Sequence, residues 1–113
     1  MTAPVLLTTA QIKTAQVTDN TTTPTLTLAS NTIYSCTNAA ITMLTISGVN
    51  TGFEYAAIIF NSPSTAASVQ MPSGWVCVGA DVTNGVFVPV ADKRYNLAIY
   101  QQYDGVRVFI MEG

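Results

Sequence analysis

The sequence predicts an all-β fold, an antiparallel β-sandwich or jelly-roll-like barrel of about eight to ten short strands with an extended N-terminal arm. Three observations carry this. Short apolar or alternating runs recur at close spacing, separated by Gly, Pro, Asn and Ser. Thr, Val and Ile are abundant, and β-branching restricts χ1 in a way that suits a pleated surface. No run keeps a helical period for longer than a turn. At 113 residues the chain is one domain, large enough to bury a core with little to spare.

Residues 1–25 are dominated by Thr and broken at Asp19-Asn20-Thr21-Thr22-Thr23-Pro24. They read as an extended arm or attachment segment, in which Gln11 to Val17 fits a short strand or extended chain equally well. Residues 26–113 form the sandwich domain. Thr25-Leu26-Thr27-Leu28 alternates as a half-buried strand does. Ser30-Asn31 turns the chain into Thr32–Thr37, and Asn38 separates that strand from Ile41–Ser47. Gly48 and Gly52 frame the next turn, leading to Phe53–Phe60. Both faces of this run are apolar beyond Glu54, so it should lie mid-assembly, covered on both sides.

After the loop Asn61–Thr65 comes a short strand, Ala67–Met71. Pro72-Ser73-Gly74 then corners the chain onto Trp75, followed by Val76-Cys77-Val78. Gly79–Gly85 reads as a polar loop. Val86–Val90 is extended, and Pro89 assigns it to a sheet edge. Tyr95–Tyr103 and Val106–Met111 flank Asp104-Gly105, a hairpin signal. A two-residue loop there sets Tyr103 opposite Val106, Gln101 opposite Val108 and Ile99 opposite Ile110, with Tyr100 against Phe109 on the other face. Ile58, Phe60, Trp75, Leu97 and Ile99 are the expected core.

Charged residues make up 9% of the chain, against about 25% in an ordinary domain. Such a surface is built of Thr, Ser, Asn and Gln, or is covered by copies of the chain or by a partner; both are expected. The net charge is −2 and the basic residues Lys13, Lys93, Arg94 and Arg107 form no dense cluster. Nucleic-acid binding, which needs a basic stripe, is not expected. No run approaches the length of a membrane span. Met1-Thr2-Ala3 has no basic n-region and Val5-Leu6-Leu7 is too short for the apolar core of a leader, so the expected setting is a cytosol, or a particle released from one. Cys36 and Cys77 are expected to be reduced and core-facing. Without histidine they cannot make a structural zinc site.

The absence of histidine also removes Ser-His-Asp and Cys-His arrangements. Carboxylates for glycoside hydrolysis reduce to Glu54 with Asp81, since Asp104 and Asp92 serve turns and Glu112 is terminal. Asp81 near Asn84 suggests calcium only faintly, because an oxygen cage needs more carboxylates than that loop offers. Gly74, Gly79 and Gly85 are separate turn residues and make no phosphate loop. No catalytic residue, cofactor or metal is expected, and the chain is not read as an enzyme. Trp75, Tyr95, Tyr100 and Tyr103 present a choice. Exposed, Trp75, Tyr100 and Tyr103 would make a glycan platform; buried, Trp75 is a core aromatic with its indole N–H bonded to backbone. The core reading of Trp75 is preferred.

A set of motifs follows in one order: Asn31-Thr32-Ile33-Tyr34, Met43-Leu44-Thr45-Ile46, Tyr55 to Phe60, Met71-Pro72 to Trp75, and Arg94-Tyr95-Asn96-Leu97-Ala98-Ile99. Over residues 30–103 this order resembles a β-rich module of tailed-bacteriophage virion proteins found in tail, fibre and head-accessory components. The resemblance implies a structural or adhesive β-domain that works as a multimer on the particle. No long fibrous shaft precedes the module here, which favours a small virion component over a stand-alone receptor-binding fibre. The implied function is a non-enzymatic head decoration or accessory protein, made in the host cytoplasm and carried in the virion. Its implied partners are itself, as a homotrimer, and other virion proteins such as the major capsid protein. The alternative is a glycan-binding receptor module at a tail tip, with host surface glycans as partners. Contacts with the particle are expected at the N-terminal arm and the polar loops.

Overall fold

Period-two alternation gives each strand one apolar side, and the chain buries those sides by packing two sheets face to face. The computed structural model describes residues 13–16, 22–37 and 40–113. Its strands are β1 (Lys13–Gln16), β2 (Thr25–Leu28), β3 (Thr32–Cys36), β4 (Met43–Val49), β5 (Tyr55–Asn61), β6 (Ser68–Gln70), β7 (Val76–Val78), β8 (Val82–Thr83), β9 (Val86–Phe87), β10 (Arg94–Gln102) and β11 (Gly105–Glu112). No helix occurs among the described residues. A six-stranded sheet has the order β1-β3-β5-β10-β11-β7, and a five-stranded sheet the order β2-β4-β6-β9-β8.

The all-β sandwich is the architecture expected, but its sheets are mixed where antiparallel pairing was expected. β1 to β6 alternate between the two sheets, and within each sheet they pair in parallel. The chain therefore winds as a coil, each turn laying one strand in each sheet. The physical reason lies in the connections. A parallel crossover inside one sheet takes a dozen or more residues, whereas links such as residues 29–31 need only step between layers about 10 Å apart. After β6 the chain crosses to the far edges, where β7 pairs in parallel with β11 and β8 turns back antiparallel onto β9. The β10–β11 hairpin fills the gap in the six-stranded sheet, with β10 antiparallel to β5.

Three further expectations change and one is decided. Lys13–Gln16, where the sequence fits a short strand or extended chain equally well, is a strand of the larger sheet paired with β3. Thr22 and Pro24 accept backbone hydrogen bonds from Thr42, Met43 and Thr45, so the boundary at residue 25 cuts through the sandwich; residues 1–12 and 17–21 of the proposed arm lie outside the described residues. The segment holding Pro89 is not an edge strand. β9 ends at Phe87 and lies between β6 and β8, leaving Pro89 buried in the following link where no ladder bond is asked of it. Gly79–Gly85 is not all loop, because Asn84 (φ 53°) and Gly85 (φ 77°) form the two-residue turn of the β8–β9 hairpin.

The last correction is register. Gln102 pairs with Gly105, Ile99 with Val108 and Ala98 with Phe109, so the loop residues are Tyr103 and Asp104. The slip is two residues, which keeps every side chain on its expected face while changing its partner. Gly105 (φ 138°) opens the returning strand, and Asp104 accepts a hydrogen bond from the Arg107 guanidinium at 3.2 Å.

Two tyrosines fasten the steps from the smaller sheet to the larger by the same device. In the β2–β3 link, Asn31 takes φ 57° and the Tyr34 hydroxyl accepts from the Ala29 N–H at 2.8 Å. In the β9–β10 link, Asp92 takes φ 60° and the Tyr95 hydroxyl accepts from the Val90 N–H at 2.9 Å. Each ring is buried among the core side chains. The hydroxyl satisfies an amide that the turn would otherwise leave without a partner.

Between the sheets, Ile58, Phe60, Leu97 and Ile99 are fully buried together with Leu28, Ile41, Leu44, Val69 and Val108. Trp75 is only half-buried and packs on the core from its rim. Both cysteines are free. Cys36 is buried, and burial pushes its thiol up to about 12. Burial also raises the thiol of Cys77, whose sulfur lies 3.8 Å from that of Met71.

Candidate functional site: the outer face of the six-stranded sheet

The two outer faces of the sandwich differ in chemistry. On the five-stranded sheet the outward positions of β2, β4 and β6 are Thr25, Thr27, Met43, Thr45, Ser47, Ser68 and Gln70. These are mainly hydroxyl and amide groups, as a solvated face requires. The Thr27 and Ser47 hydroxyls share a hydrogen bond at 2.6 Å, and Ser47 also donates to the Leu26 carbonyl.

The larger sheet turns outward a different set, readable from the register as rows across the strands. One row is Ile33, Ala57, Ala98, Phe109 and Val78, apolar from β3 to β7. Beside it runs Tyr55, Tyr100, Arg107 and Val76. On the other side lie Ser35, Ile59, Asn96 and Met111. Tyr100, Met111, Val76 and Val78 are exposed, Met111 to 52%.

Aromatic rings organise the middle of this face. Tyr55 and Tyr100 are cross-strand partners with ring centroids 4.8 Å apart, and Tyr100 meets Phe109 edge-on at 5.8 Å. Burial, and then the neighbouring Tyr100, raise the Tyr55 hydroxyl above its ordinary pKa. The small side chain of Ala98 leaves an open depression of about 410 Å³, lined by Ala98, Tyr100, Gln102, Phe109 and Met111. Charge stays off the apolar row that runs from Ile33 to Val78. Arg107 is paired with Asp104 at the hairpin tip, Arg94 donates to the Asn61 side chain at 3.1 Å, and Lys93 meets Glu112 at 3.2 Å.

The residues singled out from sequence do not gather here as a set. Tyr100 belongs to the face. Tyr103 stands fully exposed at the hairpin tip, while Trp75 packs against the core. Trp75, Tyr100 and Tyr103 thus make no single platform, and Tyr95 is buried in its hydroxyl–backbone bond. Glu54 precedes β5 beside Gln101. Asp81 follows β7 at the other end of the strands, with β10 and β11 between. A strand the length of β5 spans roughly 20 Å, beyond the 5–9.5 Å that paired glycosidase carboxylates need. Asp81 is exposed and Asn84 is taken up by its turn. Among the described residues no three His, Cys, Asp or Glu come together to hold a metal.

Tyr55, Ala57, Ile59, Phe109 and Met111 were not singled out for function from sequence. The signal was present, because both sides of β5 are apolar. Period two reports two apolar sides without saying whether the second is covered by the same chain or by another.

Comparison with family models, with curated proteins and with solved structures gave no match.

Proposed function

We propose that the chain is a non-enzymatic structural protein of a tailed-phage virion. In this reading it self-associates as a homotrimer and attaches to the particle, through proteins such as the major capsid protein, as a head decoration or accessory component. The observation that carries the reading is the contrast between the two outer faces: one hydroxyl-rich, the other an apolar and aromatic sheet without charge at its centre. Soluble monomers seldom leave such a surface bare, and the low overall charge is consistent with burying it in an assembly. The motif order over residues 30–103 supplies the virion context. Light scattering of the purified protein tests self-association first. A stable monomer at micromolar concentration would count heavily against it. Co-sedimentation with purified particles then tests attachment.

A second reading, a glycan-binding receptor module of a tail tip, is favoured by one feature. The open depression combines the faces of Tyr100 and Phe109 with the Gln102 amide, and aromatic faces beside an amide suit sugar rings. Titration with host cell-wall sugars should then move the Tyr100 and Phe109 NMR signals. Unchanged signals at millimolar sugar remove the reading.

A further inference from the structure

We infer that the outer face of the six-stranded sheet is covered by another copy of this chain, each copy setting Tyr100, Phe109 and Met111 against Ala57 and Ala98 of its neighbour. This rests on the self-association reading and deepens it by naming the surface, and a face that meets itself pairs copies about a two-fold axis in place of the three-fold contact of a trimer.

Charge is the first argument for a copy as the occupant. A face that meets itself brings its own charges together, and like charges juxtaposed are costly. Here Ile33, Ala57, Ala98, Phe109 and Val78 carry none, and Arg107 is already neutralised within the chain by Asp104. A partner chosen by charge complementarity would find nothing to complement at the centre.

Relief is the second. A two-fold contact requires that one patch contain both the protrusion and the recess that receives it. The ring ladder and Met111 stand beside the low ground of Ala57 and Ala98, which pair directly across β5 and β10.

Area is the third. From β3 to β7 the face crosses five strands, and with a spacing of about 4.8 Å and a rise of about 3.3 Å per residue it covers on the order of 450 Å². Two apposed faces then hide roughly 900 Å² before corrugation is counted, close to the roughly 1,000 Å² at which specific interfaces begin. Val76 and Val78 extend the apolar surface to the sheet edge.

The test is sedimentation velocity across a hundredfold concentration range on the wild-type protein and three variants. Met111→Glu places a charge at the rim of the face, on a side chain exposed enough to leave folding intact. Ala98→Glu places one at the centre. Thr45→Glu does the same on the outer face of the smaller sheet. Far-UV circular dichroism and a thermal melt confirm that each variant folds. The expected result is a wild-type multimer, a tenfold or greater weakening of assembly for Met111→Glu and Ala98→Glu, and no change for Thr45→Glu. A multimer that persists unchanged in folded Met111→Glu and Ala98→Glu overturns this assignment of the surface and leaves self-association standing. A monomeric wild type overturns both.

Discussion

Gly79 offers a measurement of how β7 closes onto the rest of the sheet. It follows β7 with φ +96°, and a Cβ added there would run into the Ile110 carbonyl oxygen of β11. Gly74, just before Trp75, has nearly the same backbone (φ +90°) with nothing within 4 Å of an added Cβ. Gly74→Ala should therefore cost only the backbone strain of an L-residue at positive φ, about 1–2 kcal/mol. Gly79→Ala adds a clash that only main-chain movement can relieve. β11 is held on both sides, by β10 and by β7, so the strand cannot yield freely. Overpacking of that kind costs a further 1–3 kcal/mol or so. The pair should differ by that amount in urea denaturation at equal protein concentration. In a thermal melt, Gly79→Ala should fall roughly 5–20 °C below Gly74→Ala, at about 4–8 °C per kcal/mol for a domain near this size. Equal destabilisation would refute the close passage of the chain past Ile110, and with it the parallel β7–β11 closure.

Tyr95→Phe and Tyr34→Phe each remove one hydroxyl that satisfies a turn amide, at 2.9 Å and 2.8 Å. Each should lose about 1–2 kcal/mol in denaturant titration, and no loss would show that water satisfies those amides instead. Cys36 supplies a pH test. Burial raises its thiol from an ordinary 9.0 to about 12, so the folded state holds the proton more tightly than the unfolded chain. The contribution is fully present below pH 9 and is lost as pH rises towards 12. Cys36→Ala should flatten that alkaline decline, whatever its cost at neutral pH; an unchanged slope would mean that Cys36 ionises as easily folded as unfolded. In the native protein Cys77 should react with a thiol reagent well before Cys36 does.

Much of the fold was legible because period two and turn chemistry are local. Ile58, Phe60, Leu97 and Ile99 alternate towards one side of their strands and are fully buried there. Strand direction was not legible. An alternating run such as Met43–Ser47 reads the same whether its neighbour is parallel or antiparallel, and the deciding fact, that successive strands enter different sheets, is a matter of layers. The two hairpins show how turn signals mislead. Asn84-Gly85 is the tight two-residue loop, although its flanking strands are too short to declare themselves. Asp104-Gly105 looked the stronger signal, yet the turn lies one residue earlier, because the Asp104–Arg107 contact and the positive φ of Gly105 suit a strand that begins at Gly105. Trp75 looked central by size and is only a rim residue, since the parallel pairing of β7 sets it at the edge of the larger sheet. The candidate face was half legible: the apolar second side of β5 was visible, and what it meets was not.

Methionine oxidation by dilute peroxide, read residue by residue in a mass spectrometer, tests most directly whether that face is covered. Met111 is 52% exposed on the isolated chain, whereas Met71 is buried within the sandwich, and sulfoxide formation follows exposure. If copies cover the face, Met111 is protected at high protein concentration and oxidises faster on dilution through the assembly range, while Met71 stays slow throughout. Rapid oxidation of Met111 at every concentration would contradict the account.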